Sequence, residues 1–150
     1  MEAIKFAEKI IIGKSPLYVF DYTQDYANRL KWDTFLKKAE LINGAVEPNV
    51  GVKAYCVAQN GLGMETEYIT YHRPKVTAIK MTRGPIVFKS FLGSWTFKEL
   101  NADETEVSFL YSFQLTFPFS FFSSMIKRNL QKNVKKRLTD LKTCIENHHE

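Results

Sequence analysis

PFSFFSSMIKRNLQKNVKKRLTDLKTCIEN, residues 118–147, is the stretch on which the fold turns. Phe122, Ile126, Leu130, Val134, Leu138, Leu141 and Ile145 recur at steps of four and three, which draws one apolar stripe along a helix. No glycine or proline follows Pro118, so the pattern predicts an unbroken helix of roughly 25 residues, ~37 Å long. Its other faces carry Lys127, Arg128, Lys132, Lys135, Lys136, Arg137 and Lys142, opposed by few acids, and read as a solvated surface. Such a helix needs a broad apolar surface to lie on.

The segment just upstream supplies one. In Glu106 to Phe117, Val107, Phe109, Tyr111, Phe113 and Leu115 face one way and Ser108, Ser112 and Gln114 the other, with Leu110 the exception. That alternation marks a half-buried strand with a mostly aromatic inner face. Further out, Lys37–Ile42, Val52–Gln59, Met64–Tyr71, Val76–Met81 and Val87–Leu100 are each strand-like. The breaks between them, among them Asn43-Gly44, Asn60-Gly61, Arg73-Pro74 and Gly84-Pro85, hold residues that reach positive φ or arrive with φ already set. Connections this short join antiparallel neighbours, because a parallel crossover needs about a dozen residues or more. At the N-terminal side, Ala3–Ile12 reads as a strand that stops at Gly13. Ser15-Pro16 then gives a capping hydroxyl and a proline suited to the first helical position. A break near Thr23-Gln24-Asp25 and a second short helix from Tyr26 to Trp32, capped by Asp25, complete the order. The fold class is α+β: a curved antiparallel sheet of about seven strands around a long C-terminal helix, with two short helices after the first strand.

The 150 residues, with no internal repeat, linker or low-complexity tract, predict one domain over 1–150. Apolar residues make up 45% and charged residues 25%, which excludes disordered and fibrous classes. Twelve phenylalanines and seven tyrosines are unusual, so either the core is strongly aromatic or rings line a hollow. Cys56 and Cys144 show neither CxxC nor metal-ligand spacing, and read as reduced thiols of a cytoplasmic protein. The first residues lack the basic and apolar regions of a signal peptide, and no apolar run is long enough to span a bilayer. A net charge of +5 permits an acidic partner.

The chain resembles a known family over nearly its whole length: the polyketide cyclase/dehydrase and lipid-transport group of the START-like superfamily, related in fold to the birch-pollen-allergen proteins. Ser15-Pro16-Leu17-Tyr18-Val19-Phe20, Asp25-Tyr26-Ala27-Asn28 and Trp32-Asp33 resemble its opening pair of helices. Pro48-Asn49-Val50-Gly51-Val52-Lys53 is similar to its turn into the third strand, and Tyr68 through Arg73-Pro74-Lys75-Val76 to its proline-containing turn. Gly93-Ser94-Trp95-Thr96-Phe97 with Asp103-Glu104-Thr105-Glu106-Val107 resembles its last hairpin. The resemblance implies the helix-grip arrangement, and a cavity between sheet and long helix in which many members hold lipids, hormones, quinones or polyketides. No shared catalytic motif comes with it, since members include enzymes, carriers and binding proteins.

Candidate lining residues are Tyr68, Phe91, Trp95, Phe109, Tyr111 and Phe113 from strands, with Met125, Ile126 and Asn129 from the helix; the plain alternative is that these side chains fill the core. Asn129 and Asn133 flank the stripe and either contact a ligand or face solvent. Catalytic candidates are thin. His72 falls at the rim of the sheet, His148 and His149 near the chain end, and Glu65 and Glu67 on a solvent-facing strand side. No nucleophile elbow, phosphate loop, metal cluster or cofactor motif is present, so no cofactor is expected. The first functional reading is a non-catalytic binder or carrier of a small hydrophobic molecule. A cyclase or dehydratase type enzyme is the second, and the third is an interaction protein docking through Lys132, Lys135 and Lys136. No nucleic-acid partner is expected. Phe117, Phe119, Phe121 and Phe122 offer a peripheral membrane contact or a lip of the pocket, and no sequence feature fixes an oligomeric state.

Overall fold

Local signals in the N-terminal third do what their chemistry dictates. In the computed structural model, which describes residues 3–147, strand β1 (Ile4–Ile12) gives way to helix α1 (Pro16–Gln24) and helix α2 (Tyr26–Trp32). The Ser15 hydroxyl accepts from the Tyr18 amide at 3.3 Å, and Pro16 occupies the first turn, where no amide proton is needed. Asp25 ends α1 and caps α2, its carboxylate accepting from the Ala27 amide at 2.9 Å.

Six strands follow: β2 (Leu36–Leu41), β3 (Lys53–Ala58), β4 (Gly63–His72), β5 (Val76–Arg83), β6 (Phe88–Asn101) and β7 (Glu104–Leu115). They form one seven-stranded antiparallel sheet in the order β1-β7-β6-β5-β4-β3-β2. β1 and β2 are its two edges. β2 carries a register shift between Leu36 and Lys38 and exposes Lys37, Lys38 and Glu40. In β7 the alternation is complete, with Thr105, Val107, Phe109, Tyr111, Phe113 and Leu115 all buried and the residues between them half-buried. Phe91, Trp95 and Phe97 of β6 stand beside them: Trp95 stacks on Phe109 with ring centroids 4.0 Å apart.

The sheet curls around helix α3 (Ser123–Glu146), which is the helix-grip architecture. The helix starts later than the periodicity predicts. Phe119–Phe122 makes a 3₁₀ turn with no buried side chain, so no packing draws those rings into the stripe. β7 also ends early, because Thr116 turns to bond the Ile86 and Val87 carbonyls through its hydroxyl and amide.

Along α3 the stripe divides. Val134, Leu138, Leu141 and Ile145 are fully buried against the core built by Ile12, Val19, Phe20, Val107 and Phe113. Ile126 and Leu130, earlier on the same stripe, are only partly buried. The C-terminal half of the helix packs solidly, and the N-terminal half bridges a hollow.

A cavity with a buried ionic end

The hollow is a cavity of about 350 Å³ between the concave sheet face and the N-terminal half of α3. Its apolar walls come from Phe88, Phe91, Trp95 and Phe109 across the sheet, from Ile126 and Leu130 above, and from Ala58 and Met64 at the far side. Its mouth lies among exposed positions: Asn60 and Leu62 of the β3–β4 turn, and Asn129 on α3.

Seven of the nine predicted residues lie on the wall: Tyr68, Phe91, Trp95, Phe109, Tyr111, Ile126 and Asn129. Phe113 and Met125 do not. Phe113 shares the inward face of β7, but at its level Phe88 and Phe91 pack directly on its ring, so it belongs to the solid core. Met125 is 62% exposed because its place on α3 points away from the sheet. Asn133 lies on the wall, half-buried, and donates weakly to Asn129 at 3.4 Å. Glu65 faces the outer side, where it accepts from Thr82 at 2.6 Å and pairs with Lys53, and Glu67 is absent from the wall. His72 sits exposed at the end of β4, and His148 and His149 lie outside the described residues.

The charge pattern counts Arg137 among the solvated cations of α3; the structure buries it. It stands at the junction of packed helix and hollow, and its Nε and Nη2 donate to the two carboxylate oxygens of Asp33 at 3.0 and 2.8 Å. Asp33, fully buried, also accepts from Arg29 Nε at 2.8 Å. The remaining arm of Arg137 donates to the Tyr111 hydroxyl at 2.5 Å, while its guanidinium lies over the rings of Phe35 and Phe109. A signal existed: 134, 137, 138 and 141 follow the helical period, which puts Arg137 on the core face. Two guanidiniums and one carboxylate leave one net positive charge at this end of the cavity.

A second polar group adjoins it. Tyr68 donates to Gln24 Oε1 at 2.9 Å, and the Tyr26 and Tyr68 hydroxyls bond at 2.9 Å. Burial pushes both phenols above their ordinary range, Tyr68 strongly, and raises the Cys56 thiol as well. These groups are therefore neutral at physiological pH. For Asp33, burial acts to raise the carboxyl, but Arg137 and then Arg29 override it and hold the acid below the ordinary carboxylate range.

A pH dependence follows. The folded chain binds the Asp33 proton less readily than the unfolded chain, so the stabilisation is complete above about pH 4, where an unfolded carboxylate titrates, and is lost as pH falls through the lower folded value. Glu65 and Glu146 shift in the same direction, through hydrogen bonds from Thr82 and Lys142 respectively. Comparing the natural chain with Asp33→Asn cancels their share. The gap between the two urea midpoints is expected to stay constant from about pH 7 to about pH 4 and to narrow below that. A gap unchanged into strong acid contradicts this account of Asp33.

Three comparisons bear on the geometry. The family described as "Polyketide cyclase / dehydrase and lipid transport" matches residues 3–146. A search of curated proteins finds no match. Among solved structures, TTHA0849 from Thermus thermophilus superposes with a TM-score of 0.78 at 16% identity, covering 95% of this chain and 97% of that one. The Zhui aromatase/cyclase from Streptomyces sp. R1128 gives 0.78 at 13% identity, covering 93% and 91%. Norcoclaurine synthase from Thalictrum flavum, in complex with dopamine and hydroxybenzaldehyde, gives 0.69 at 9%, covering 99% and 91%. At these identities the likeness is one of fold.

Proposed function

We propose, from the premise that this chain belongs to the polyketide cyclase/dehydrase and lipid-transport family, that its cavity binds or carries a small apolar molecule with an oxygen-bearing end. The observation that carries this reading is the division of α3, whose first half bridges the hollow without filling it. Aromatic and aliphatic walls favour the apolar body of such a molecule, in proportion to the area withdrawn from water. The net positive charge shared by Arg29, Asp33 and Arg137 favours an acceptor oxygen, carboxylate or phenolate above all, at the inner end.

Cyclase or dehydratase chemistry is the second reading. It is favoured by the paired Tyr26 and Tyr68 hydroxyls and by the fold shared with an aromatase/cyclase. Proton abstraction, however, asks for a base poised near neutrality. The tyrosines and Cys56 hold their protons too tightly for that role, and Asp33 is committed to two guanidiniums. This balance favours binding over turnover.

Native mass spectrometry and thermal shift with fatty acids, quinones and polyphenols test the proposal. One-to-one complexes are expected, strongest for ligands with an acidic oxygen, with the ligand mass unchanged after incubation. Arg29→Met is expected to lower affinity for the acidic ligands by about tenfold, the loss of one charge-assisted hydrogen bond. Absence of binding across the panel overturns the reading, and a ligand mass reduced by one water transfers the weight to the enzyme.

A further inference from the structure

Beyond the cavity, the end of the molecule around its mouth has two properties that belong together. First, it exposes large apolar side chains. Ile86 is 81% exposed, Phe117 78% and Phe121 76%, with Phe122 and Met125 also well exposed. Ile86, Phe117 and Phe121 are neighbours in space, and Phe122 and Met125 follow Phe121 in the chain. Thr116 bonds the Ile86 and Val87 carbonyls, which sets Ile86 beside Phe117, and the Phe117 and Phe121 rings lie 5.5 Å apart. Isolated exposed hydrophobes need no explanation, but a contiguous set on one end marks an interaction surface.

Second, the segments that build this end lack acids. Residues 68–98 and 107–139 contain no Asp or Glu. Further along α3 the cations are engaged: Lys135 with Glu8, Lys136 with Asp140 and Lys142 with Glu146. Lys127 and Arg128, in the second turn of α3 after the aromatic segment, and Lys132 further along it, take part in no ion pair among the described residues, nor does Lys89 at the start of β6.

We infer that this end docks peripherally on an anionic lipid bilayer, with Ile86, Phe117, Phe121 and Met125 entering the interface and Lys127, Arg128 and Lys132 meeting the headgroups. Apolar side chains rimmed by unpaired cations suit that boundary, where the rings leave water and each cation finds negative surface potential. A phosphate backbone uses the cations and leaves the rings in water. A second copy joined about a two-fold axis brings the same cations face to face, where they repel. Pro85, Val87 and Ile126 of the cavity wall alternate in sequence with the docking residues, so the docked molecule turns its opening toward the lipid. Docking itself stands apart from what the cavity holds.

Cosedimentation of the full chain with phosphatidylcholine vesicles, with and without phosphatidylglycerol, tests this in the absence of any cavity ligand. Binding is expected to the anionic vesicles only and to weaken with added salt. Lys127→Gln with Arg128→Gln is expected to reduce it about 25-fold, near fivefold for each cation. Phe117→Ser with Phe121→Ser is expected to reduce it comparably, with circular dichroism and cavity binding unchanged. Equal binding to both vesicle types, no binding to either, or indifference to the phenylalanine pair overturns the inference. So does sedimentation as a dimer that the phenylalanine pair dissociates, or tighter binding to duplex DNA than to the vesicles. Failed docking with cavity binding intact removes this inference alone.

Discussion

Asp33→Ala is expected to lose ~3–5 kcal/mol of folding stability, a large share of the ~5–15 kcal/mol that a domain holds. The reason is what it leaves behind. Arg137 is almost wholly buried and Arg29 largely so, and each directs its Nε at this carboxylate. Without the anion, two guanidiniums face each other with little water to screen them. Urea unfolding followed by circular dichroism reads the loss. The control is Asp21→Ala, which removes a shorter two-point contact with Arg73, at 2.6 and 2.7 Å. That pair is about half exposed, so its loss is expected to cost under ~1 kcal/mol. If the two variants lose equal stability, burial is not what makes Asp33 matter. Asp33→Leu with Arg29→Met and Arg137→Met, which withdraws all three charges together, is expected to recover much of the loss, since a buried ionic group replaced by apolar side chains of similar size is often neutral.

Filling the hollow is expected to abolish binding while the fold survives. Ala58 and Leu130 face the cavity from opposite sides, one from β3 and the other from α3. Ala58→Phe with Leu130→Trp sets two rings into space a ligand needs, and affinity is expected to fall at least about 100-fold, roughly 3 kcal/mol. The melting temperature is expected to hold, because the rings enter empty volume rather than a packed interior. Phe113→Leu provides the opposite case. It removes a ring from the solid core, so stability is expected to drop with affinity nearly unchanged. Isothermal titration and thermal melts on the three proteins separate these outcomes. Undiminished binding in the filled variant places the ligand elsewhere.

Much of the architecture was legible because its causes are local. The alternation of β7 needs only period two, the α3 stripe only period 3.6, and Ser15-Pro16 and Asp25 act within a single turn. The apolar cavity wall was partly legible for the same reason: an inward aromatic on β6 or β7 has few places to go. What periodicity could not say is how far along an element the packing stays solid. Phe113 and Phe109 are equivalent in pattern, yet one meets Phe88 and Phe91 while the other borders the hollow. Met125 failed differently, since neighbouring helical positions point about 100° apart and a one-residue step moves a side chain off the wall. The ionic group was hidden because charged residues are read as surface by default. Arg29 and Asp33 are one turn apart on or beside α2, while Arg137 comes from the far end of the chain, and only the closed fold joins them.

The open sheet has one further consequence, for how the protein behaves in concentrated solution. Its borders are β1 and β2, and a strand with unmated amides and carbonyls invites another chain to extend the ladder. On β2 the irregularity at Leu36–Lys38 breaks the even spacing such a newcomer would have to match, and with Lys38 paired to Glu40 the ammonium group of Lys37 leaves the border a net positive charge that repels an identical one. That stretch is a poor template for fibril growth, and its protection is local, written into a single short strand.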